Sequence, residues 1–340
     1  MPSPFFPPLE PFRTGRLPVS DGHELYWEQV GRPEGTPIII LHGGPGSGCS
    51  AKYRQLFDPE RYCITLMDQR GAGRSTPHLQ LAGNTTSSLI EDIEVLRQEL
   101  GIERWIAFGP SWGSTLALAY AQAYPNSVSG LVVEAVFLGT DEELAWWHDS
   151  AGAPRFFPDA WADFIAPVPQ DARSSAARVL DWYLDAMRAE QADDYAILKQ
   201  LADPAVSIET LRQSALYRWT EFEERLSYLD VTAREARDGF AVRGWEYVAA
   251  HSLIEAHYFK HKCFLKPDQL IREADTLADI PMAILHSRYD MVCPPRSAFR
   301  LAAACPHADF QLVALNGHGM TDASQLALNG IMERLDKRLG

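Results

Sequence analysis

Apolar residues in this chain gather into short unbroken runs, and each run is followed by a break of glycine, proline or a polar loop. Pro37-Ile-Ile-Ile-Leu41, Tyr62 to Met67, Trp105 to Phe108, Gly130 to Val136, Pro281 to His286 and Phe310 to Leu315 are all of this kind. A strand covered on both faces needs apolar side chains on both, so continuous runs of four to seven residues predict buried parallel strands. Arg13 to Val30 differs, because Leu17, Val19, Leu25 and Trp27 alternate with polar residues around Ser20-Asp21-Gly22-His23. That pattern predicts a β-hairpin.

Helical spacing fills the gaps between runs. Leu89, Ile93, Leu96 and Leu100 recur at the helical period, Ser88 and Glu91 have capping-box spacing, and Gly101 ends the segment. Ser114 to Ala123 is a small-residue helix following the third run, and a further helix is expected over Arg296 to Ala304. Strand and helix alternate, which predicts a parallel sheet with helices on both faces. After about Thr140 the runs stop, and Trp146, Trp147, Trp161, Trp182 and Trp219 stand among Ala, Glu, Arg and Leu. Leu180 to Met187 and Ile197 to Leu201 have helical spacing there, so residues 140–250 read as a helical insertion between two parts of one core, 1–139 and 251–340.

Composition narrows the classes of function. The 340 residues are 46% hydrophobic and 22% charged, as in a soluble globular protein. With 31 basic against 45 acidic residues the net charge is −14, which argues against nucleic acid or an anionic membrane as a partner. The N-terminal Met1-Pro-Ser-Pro-Phe-Phe has neither the basic nor the long apolar region of a signal peptide, and a cytoplasmic location is expected. Cys49, Cys63, Cys263, Cys293 and Cys305 are scattered without metal-type spacing, so reduced thiols and no metal are expected.

The candidate chemistry begins at Gly109-Pro-Ser-Trp-Gly113, a G-x-S-x-G turn between a strand and a helix. Such a turn exposes its serine at the tip, with glycines relieving the crowding on either side. A serine hydroxyl needs a base, and the base needs a group to orient it. Asp290 and His318 each follow a later strand, and ligand sites gather where parallel strands end. Ser111, Asp290 and His318 are therefore the predicted catalytic residues. Negative charge developing on an acyl oxygen calls for two amide donors, and the amides of Trp112 and of Gly44 in His42-Gly-Gly-Pro-Gly46 are placed to supply them. A P-loop is excluded, since no G-x-x-x-x-G-K-[ST] occurs.

Leu17 to Gln29, His42-Gly-Gly-Pro-Gly46, Asp68-Gln-Arg-Gly-Ala-Gly-Arg-Ser75, Ser111 to Tyr120, Arg155-Phe-Phe-Pro-Asp159, Glu255-Ala-His-Tyr-Phe259 and Ser287-Arg-Tyr-Asp-Met-Val-Cys-Pro294 together resemble the proline iminopeptidases. The resemblance covers nearly the whole chain. It implies an α/β-hydrolase fold with a helical cap, release of N-terminal proline through an acyl-enzyme, and no cofactor. It also implies a small peptide, amide or ester substrate and a monomer or small homo-oligomer. Cap carboxylates recognise the free imino group in that family; Glu255 fits one, and Glu221, near Trp219, is the expected second, displaced by one position or about 100° of helix. Gly43 and Phe137 are expected to line the substrate site. Pro110 stands where the elbow usually has Gly, Glu134 where the family has a cation, and Asp149 where it has a phenol. If Glu134 and Asp149 face the pocket, a cationic amide or ester would suit it, and an esterase, amidase or acyl transferase on the same scaffold is the alternative reading. A non-catalytic ligand-binding homologue is the third.

Overall fold

The computed structural model describes residues 3–340; Met1 and Pro2, part of the stretch read for a leader, lie outside them. Eight strands form one sheet: β1 Arg13–Pro18, β2 Glu24–Gly31, β3 Thr36–Leu41, β4 Tyr62–Met67, β5 Trp105–Pro110, β6 Val128–Glu134, β7 Met282–Ser287 and β8 Asp309–Val313. Their order is β1-β2-β4-β3-β5-β6-β7-β8. The hairpin β1–β2 is antiparallel and lies antiparallel to β4, while β3 to β8 run parallel.

The unbroken runs are explained by what covers them. Ile38, Ile40, Ile64, Leu66, Ile106 and Phe108 pack on one face with Leu328, Ile331 and Leu335. Ile39, Leu41, Met67, Ala107, Leu131 and Val133 point to the other, where Leu89, Ile93, Leu96, Leu116 and Leu118 cover them. Side chains alternate across a strand, so a sheet covered on both sides needs apolar residues at every position.

The helices are α1 Thr86–Glu99, α2 Trp112–Ala123, α3 Asp141–His148, α4 Pro158–Ile165, α5 Ala176–Ala192, α6 Ile208–Leu211, α7 Ala215–Ser227, α8 Ala233–Arg243, α9 Trp245–Lys260, α10 Gln269–Arg272, α11 Arg296–Ala304 and α12 Asp322–Leu339. Those from α3 to α10 lie between β6 and β7 in the chain. Among the described residues, no helix is long and apolar enough to cross a membrane.

Several details differ from the sequence pattern. The first helix is capped by Thr85, whose side chain accepts from the Ser88 amide, so the Ser88 and Glu91 pair lies inside the helix. β6 ends at Glu134 because Ala135 takes a φ of 49°, which no strand can continue through. β8 ends at Val313, two residues early. Residue 250, the expected end of the insertion, falls within the unbroken helix α9.

Two glycines hold the core together at its tightest point. A Cβ on Gly109 would lie 1.9 Å from the Gly113 carbonyl oxygen, and one on Gly113 would lie 1.9 Å from that of Leu41. Gly113→Ala should therefore lower unfolding free energy by about 3 kcal/mol or more, since backbone on both sides would have to shift. Gly101→Ala, where nothing lies within 4 Å but φ is +67°, should cost only about 1 kcal/mol of left-handed strain. Urea unfolding of the two variants distinguishes these mechanisms, and equal losses would refute the steric account.

Candidate active site

Ser111 is the first residue after β5 and precedes α2, with φ 56° and ψ −127°. Its amide donates to the Glu134 carbonyl at 2.9 Å, and the Ser114 hydroxyl donates to the Ser111 carbonyl at 2.6 Å. These bonds hold a non-glycine residue at positive φ, a conformation that costs on the order of 1–3 kcal/mol and turns the hydroxyl out of the strand direction. Pro110 is accommodated as the last residue of β5, because the next amide, that of Ser111, makes the bond to β6.

Asp290 and His318 come from the loops after β7 and β8 and meet at 2.9 Å, His318 Nδ1 to Asp290 Oδ2. The other Asp290 oxygen accepts from the Val292 and Cys293 amides at 3.0 and 2.7 Å. Burial pushes the Asp290 carboxyl up, but His318, with His286 and the Cys293 amide, outweighs it and holds the group below its usual range. Burial likewise pulls His318 down, and the Asp290 carboxylate, helped by Glu134 and Glu223, reverses this and raises it to about 9. Gly317 and Gly319 permit close packing here: a Cβ on Gly317 would meet the Ser227 carbonyl at 2.9 Å, and one on Gly319 would meet the Tyr228 ring at 2.3 Å. The Ser227 carbonyl accepts from the His318 and Gly319 amides, which ties this loop to the end of α7.

The Cys293 thiol bridges the two halves of the site. It lies beside the Ser111 hydroxyl, and its sulfur is within 4.8 Å of the Asp290 and His318 side-chain atoms. Burial raises the thiol well above its ordinary range, so it stays protonated. No Ser111 to His318 hydrogen bond is made among the described residues; with Nδ1 engaged by Asp290, Nε2 is the ring nitrogen left to take a proton from Ser111.

Gly44 and Ser111 line one pocket with Phe137, Glu143, Leu144, Trp147, Glu255, Phe259, Val292 and Cys293. The Trp112 amide lies in the first turn of α2, where it has no intrahelical acceptor. Gln69 steadies both oxyanion candidates: its side chain accepts from Trp112 Nε1 at 2.9 Å and donates to the His42 carbonyl at 2.8 Å. Gly43 lies behind them, 3.4 Å from Ser111 Cβ measured from an ideal Cβ position.

The remaining expected residues are divided. Glu255 lines the pocket and accepts from Trp219 Nε1 at 2.6 Å, so Trp219 stands behind Glu255 and is not part of the wall. Glu221 does not reach the pocket. Its carboxylate is taken by Arg212 at 2.8 and 2.7 Å, on the far side of α7. Glu223, two residues on and 200° around the helix, is the acid that joins Glu255. Asp149 is also displaced: it accepts from the Ala151 amide at 2.8 Å and lines a separate cavity of about 430 Å³ with Thr140, Trp146, Arg296 and Arg300. Glu134 does lie beside the candidate triad. Burial raises it to about 8, with His318 lowering it and Asp290 raising it, and it has no ion-pair partner among the described residues.

Sequence reasoning missed Glu223, His251, Trp147, Glu143 and Phe259. Glu223 could have been found four residues after Trp219, the spacing that puts two side chains on one face of a helix. Glu143 is a structural acid, with its carboxylate accepting from the Leu138 and Thr140 amides and, at 2.5 Å, from the Ser297 hydroxyl.

Since His318 must be neutral to accept a proton, activity should climb as pH rises toward about 9. Asp290, Tyr53 and Tyr228 also face Glu134, and Glu134 itself is raised to about 8. Glu134→Gln removes a negative charge that favours the imidazolium, so the rising limb of kcat/KM between pH 5 and 10 should move to lower pH. An unmoved limb would separate Glu134 electrically from His318.

Residues 36–321 match the family described as alpha/beta hydrolase fold. The chain is 42% identical to a proline iminopeptidase of Xylella fastidiosa, over 92% of this chain and 93% of that one. It is 39% identical to a probable proline iminopeptidase of Leptolyngbya boryana, over 95% of this chain and 93% of the relative. Among solved structures, a proline iminopeptidase-related protein of Thermus thermophilus superposes with a TM-score of 0.56 at 20% identity, over 96% of both chains. An esterase of Exiguobacterium antarcticum superposes with a TM-score of 0.62 at 17% identity, over 94% of this chain and 98% of that one. At such identities these two show the fold alone.

Proposed function

We propose that this chain, which belongs to the α/β-hydrolase family and within it to the proline iminopeptidases, is a serine aminopeptidase that releases N-terminal proline from small peptides and amides. The observation that carries this reading is one pocket with Ser111 at its floor and Glu255 in its wall, Glu223 standing beside Glu255. A hydroxyl that attacks an acyl carbon and a carboxylate that holds an amine are thus placed on the two ends of one aminoacyl group.

In this mechanism Ser111 attacks the prolyl carbonyl carbon as His318 takes its proton, and Asp290 orients and stabilises the imidazolium. The Gly44 and Trp112 amides receive the oxyanion, a contribution of about 3 kcal/mol for each well-placed donor. His318 then protonates the departing amine, and water repeats the sequence on the acyl-enzyme. Phe137, Leu144, Trp147 and Phe259 give the apolar wall that a pyrrolidine ring would cover. Among the described residues no lysine or arginine pairs with Glu223 or Glu255, and burial beside Glu223 raises the Glu255 carboxyl well above its usual range, so a cationic imino group is the partner this pair lacks and a blocked N-terminus is disfavoured. The five unpaired cysteines support work in a reducing compartment such as the cytoplasm. A monomer or small homo-oligomer is sufficient, since Ser111, Asp290, His318 and Glu255 all come from one chain.

Ser111→Ala should cost about six orders of magnitude in kcat on prolyl-p-nitroanilide and abolish labelling by a fluorophosphonate. Residual turnover above that level would remove Ser111 from the nucleophile's role. Glu223→Gln and Glu255→Gln should each lower kcat/KM on the same substrate by about 10- to 100-fold, the effect of one charge-assisted hydrogen bond. Glu221→Gln should leave the kinetics near wild type, because its partner is Arg212. Acetylated prolyl anilide turned over as well as the free amine would overturn the amine-recognition role and favour a general amidase.

A further inference from the structure

We propose that His251 is a positioning residue that locks the paired carboxylates of the amine recess to the loop carrying the oxyanion donor. The inference rests on the roles proposed above for Gly44, Glu223 and Glu255. His251 lies on α9, one turn before Glu255, and both of its ring nitrogens are engaged. Nε2 meets the Glu223 carboxylate and lies 3.7 Å from Glu255 Oε2. Nδ1 is 3.0 Å from the Ser47 hydroxyl, in the segment His42-Gly-Gly-Pro-Gly-Ser47. That hydroxyl is only 3.0 Å from where a Cβ would sit on Gly44.

The loop also presses on α9 at this point. A Cβ on Gly46 would lie 2.4 Å from the Ala250 carbonyl oxygen and 3.1 Å from His251 Cα, so only glycine allows the contact. Tyr247 stacks on the imidazole with ring centroids 5.6 Å apart, which fixes the plane in which the two nitrogens point. A rigid ring therefore spans two parts of the site that come from distant stretches of chain. Glu223 and Glu255 lie together, and burial beside Glu223 pushes the Glu255 carboxyl well above its usual range; His251 is the group that holds Glu223 in place while Trp219 serves Glu255. An imidazole held at one end by that pair cannot tilt without moving Ser47 at the other. Correct seating of the substrate amine thereby reaches the loop that must align Gly44 with the acyl oxygen, where a displacement of about 1 Å is costly in rate.

Four proteins test the link: wild type, Ser47→Ala, His251→Ala and the double variant, each assayed on prolyl-p-nitroanilide and on p-nitrophenyl acetate, which has no amine. Ser47→Ala should lower kcat about tenfold on both substrates with KM little changed, as expected for a loosened loop. His251→Ala should lower kcat to the same degree and raise KM for the prolyl substrate only. The double variant should be no slower in kcat than His251→Ala, because both changes cut the same connection. His251→Asn, which keeps a polar group toward Ser47 but not toward Glu223, should restore kcat and leave the prolyl KM high. Fluorophosphonate labelling of Ser111 in every variant reports that the fold is intact; if His251→Ala does not fold, Ser47→Ala and His251→Asn carry the test. Additive kcat losses in the double variant, or an unchanged kcat in Ser47→Ala, would overturn the proposal while leaving the aminopeptidase reading in place. A wild type inactive on both substrates would overturn the two together.

Discussion

The site depends on a steric constraint: three backbone segments meet where no side chain fits. The end of β3, the end of β5 and the first turn of α2 approach so closely that Gly109 and Gly113 are the only residue type possible at either position. This contact brings the loop after β3 to the N-terminus of α2, and so places Gly44 and Trp112 around the same point as Ser111. The positive φ of Ser111 follows from the same crowding, since the chain must reverse within one residue to enter the helix. Strain in one residue is held by the ladder bond to Glu134 and by Ser114, which belong to the packed core. The rigid part of the fold thus performs the alignment, and the loops only present side chains to it.

The second constraint is electrostatic. Asp290, Glu134, Glu143, Glu223 and Glu255 are all buried close to one pocket, and an unpaired carboxylate inside a protein is costly. Each is accommodated differently. Glu143 is saturated by amides and a hydroxyl, Asp290 by His318 and two amides, Glu255 by an indole N–H, Glu223 by an imidazole, and Glu134 by the proton that its raised pKa retains at neutral pH. What remains is a pocket short of positive charge. Such a pocket binds an ammonium and raises His318, and these are opposing demands on catalysis: the same field that attracts the substrate keeps the base protonated unless pH is high.

The sheet, its hairpin, the elbow and the loops carrying Asp290 and His318 were legible in the sequence because each is written locally. A run covered on both faces has no polar positions, and a turn that demands glycine has glycine. The cap was legible only as helical texture. Its helices pack through tryptophans and carboxylates whose orientation depends on helix phase, and an error of two residues, from Glu221 to Glu223, turns a side chain through 200°. The capping of α1 by Thr85 in place of Ser88 is the same kind of error: four hydroxyl residues in a row, Thr85 to Ser88, offer four possible starts, and packing of Leu89 and Ile93 selects among them. His251 carried no sequence signal of its own, since its two partners, Ser47 and Glu223, lie 204 and 28 positions away.

These placements change what the unusual acids can mean for the substrate. Asp149 and Glu134 together suggested a site built for a cationic acyl group, but Asp149 opens onto a different cavity and contributes nothing to the charge around Ser111. Glu134 is close to the base, yet a carboxyl that titrates near 8 is neutral through most of the physiological range and so offers a substrate no fixed charge to pair with. Its carbonyl already serves the Ser111 amide, which fixes its backbone regardless of its side chain. The acids on the substrate side of the pocket are those of α7 and α9, and there too burial and the neighbouring Glu223 raise the Glu255 carboxyl well above its usual range, so it is an arriving cation that would draw out its charge. In the mechanism proposed above this pair receives the N-terminal amine, and with Asp149 on another cavity and Glu134 uncharged at neutral pH the arrangement favours a conventional prolyl substrate over a cationic one.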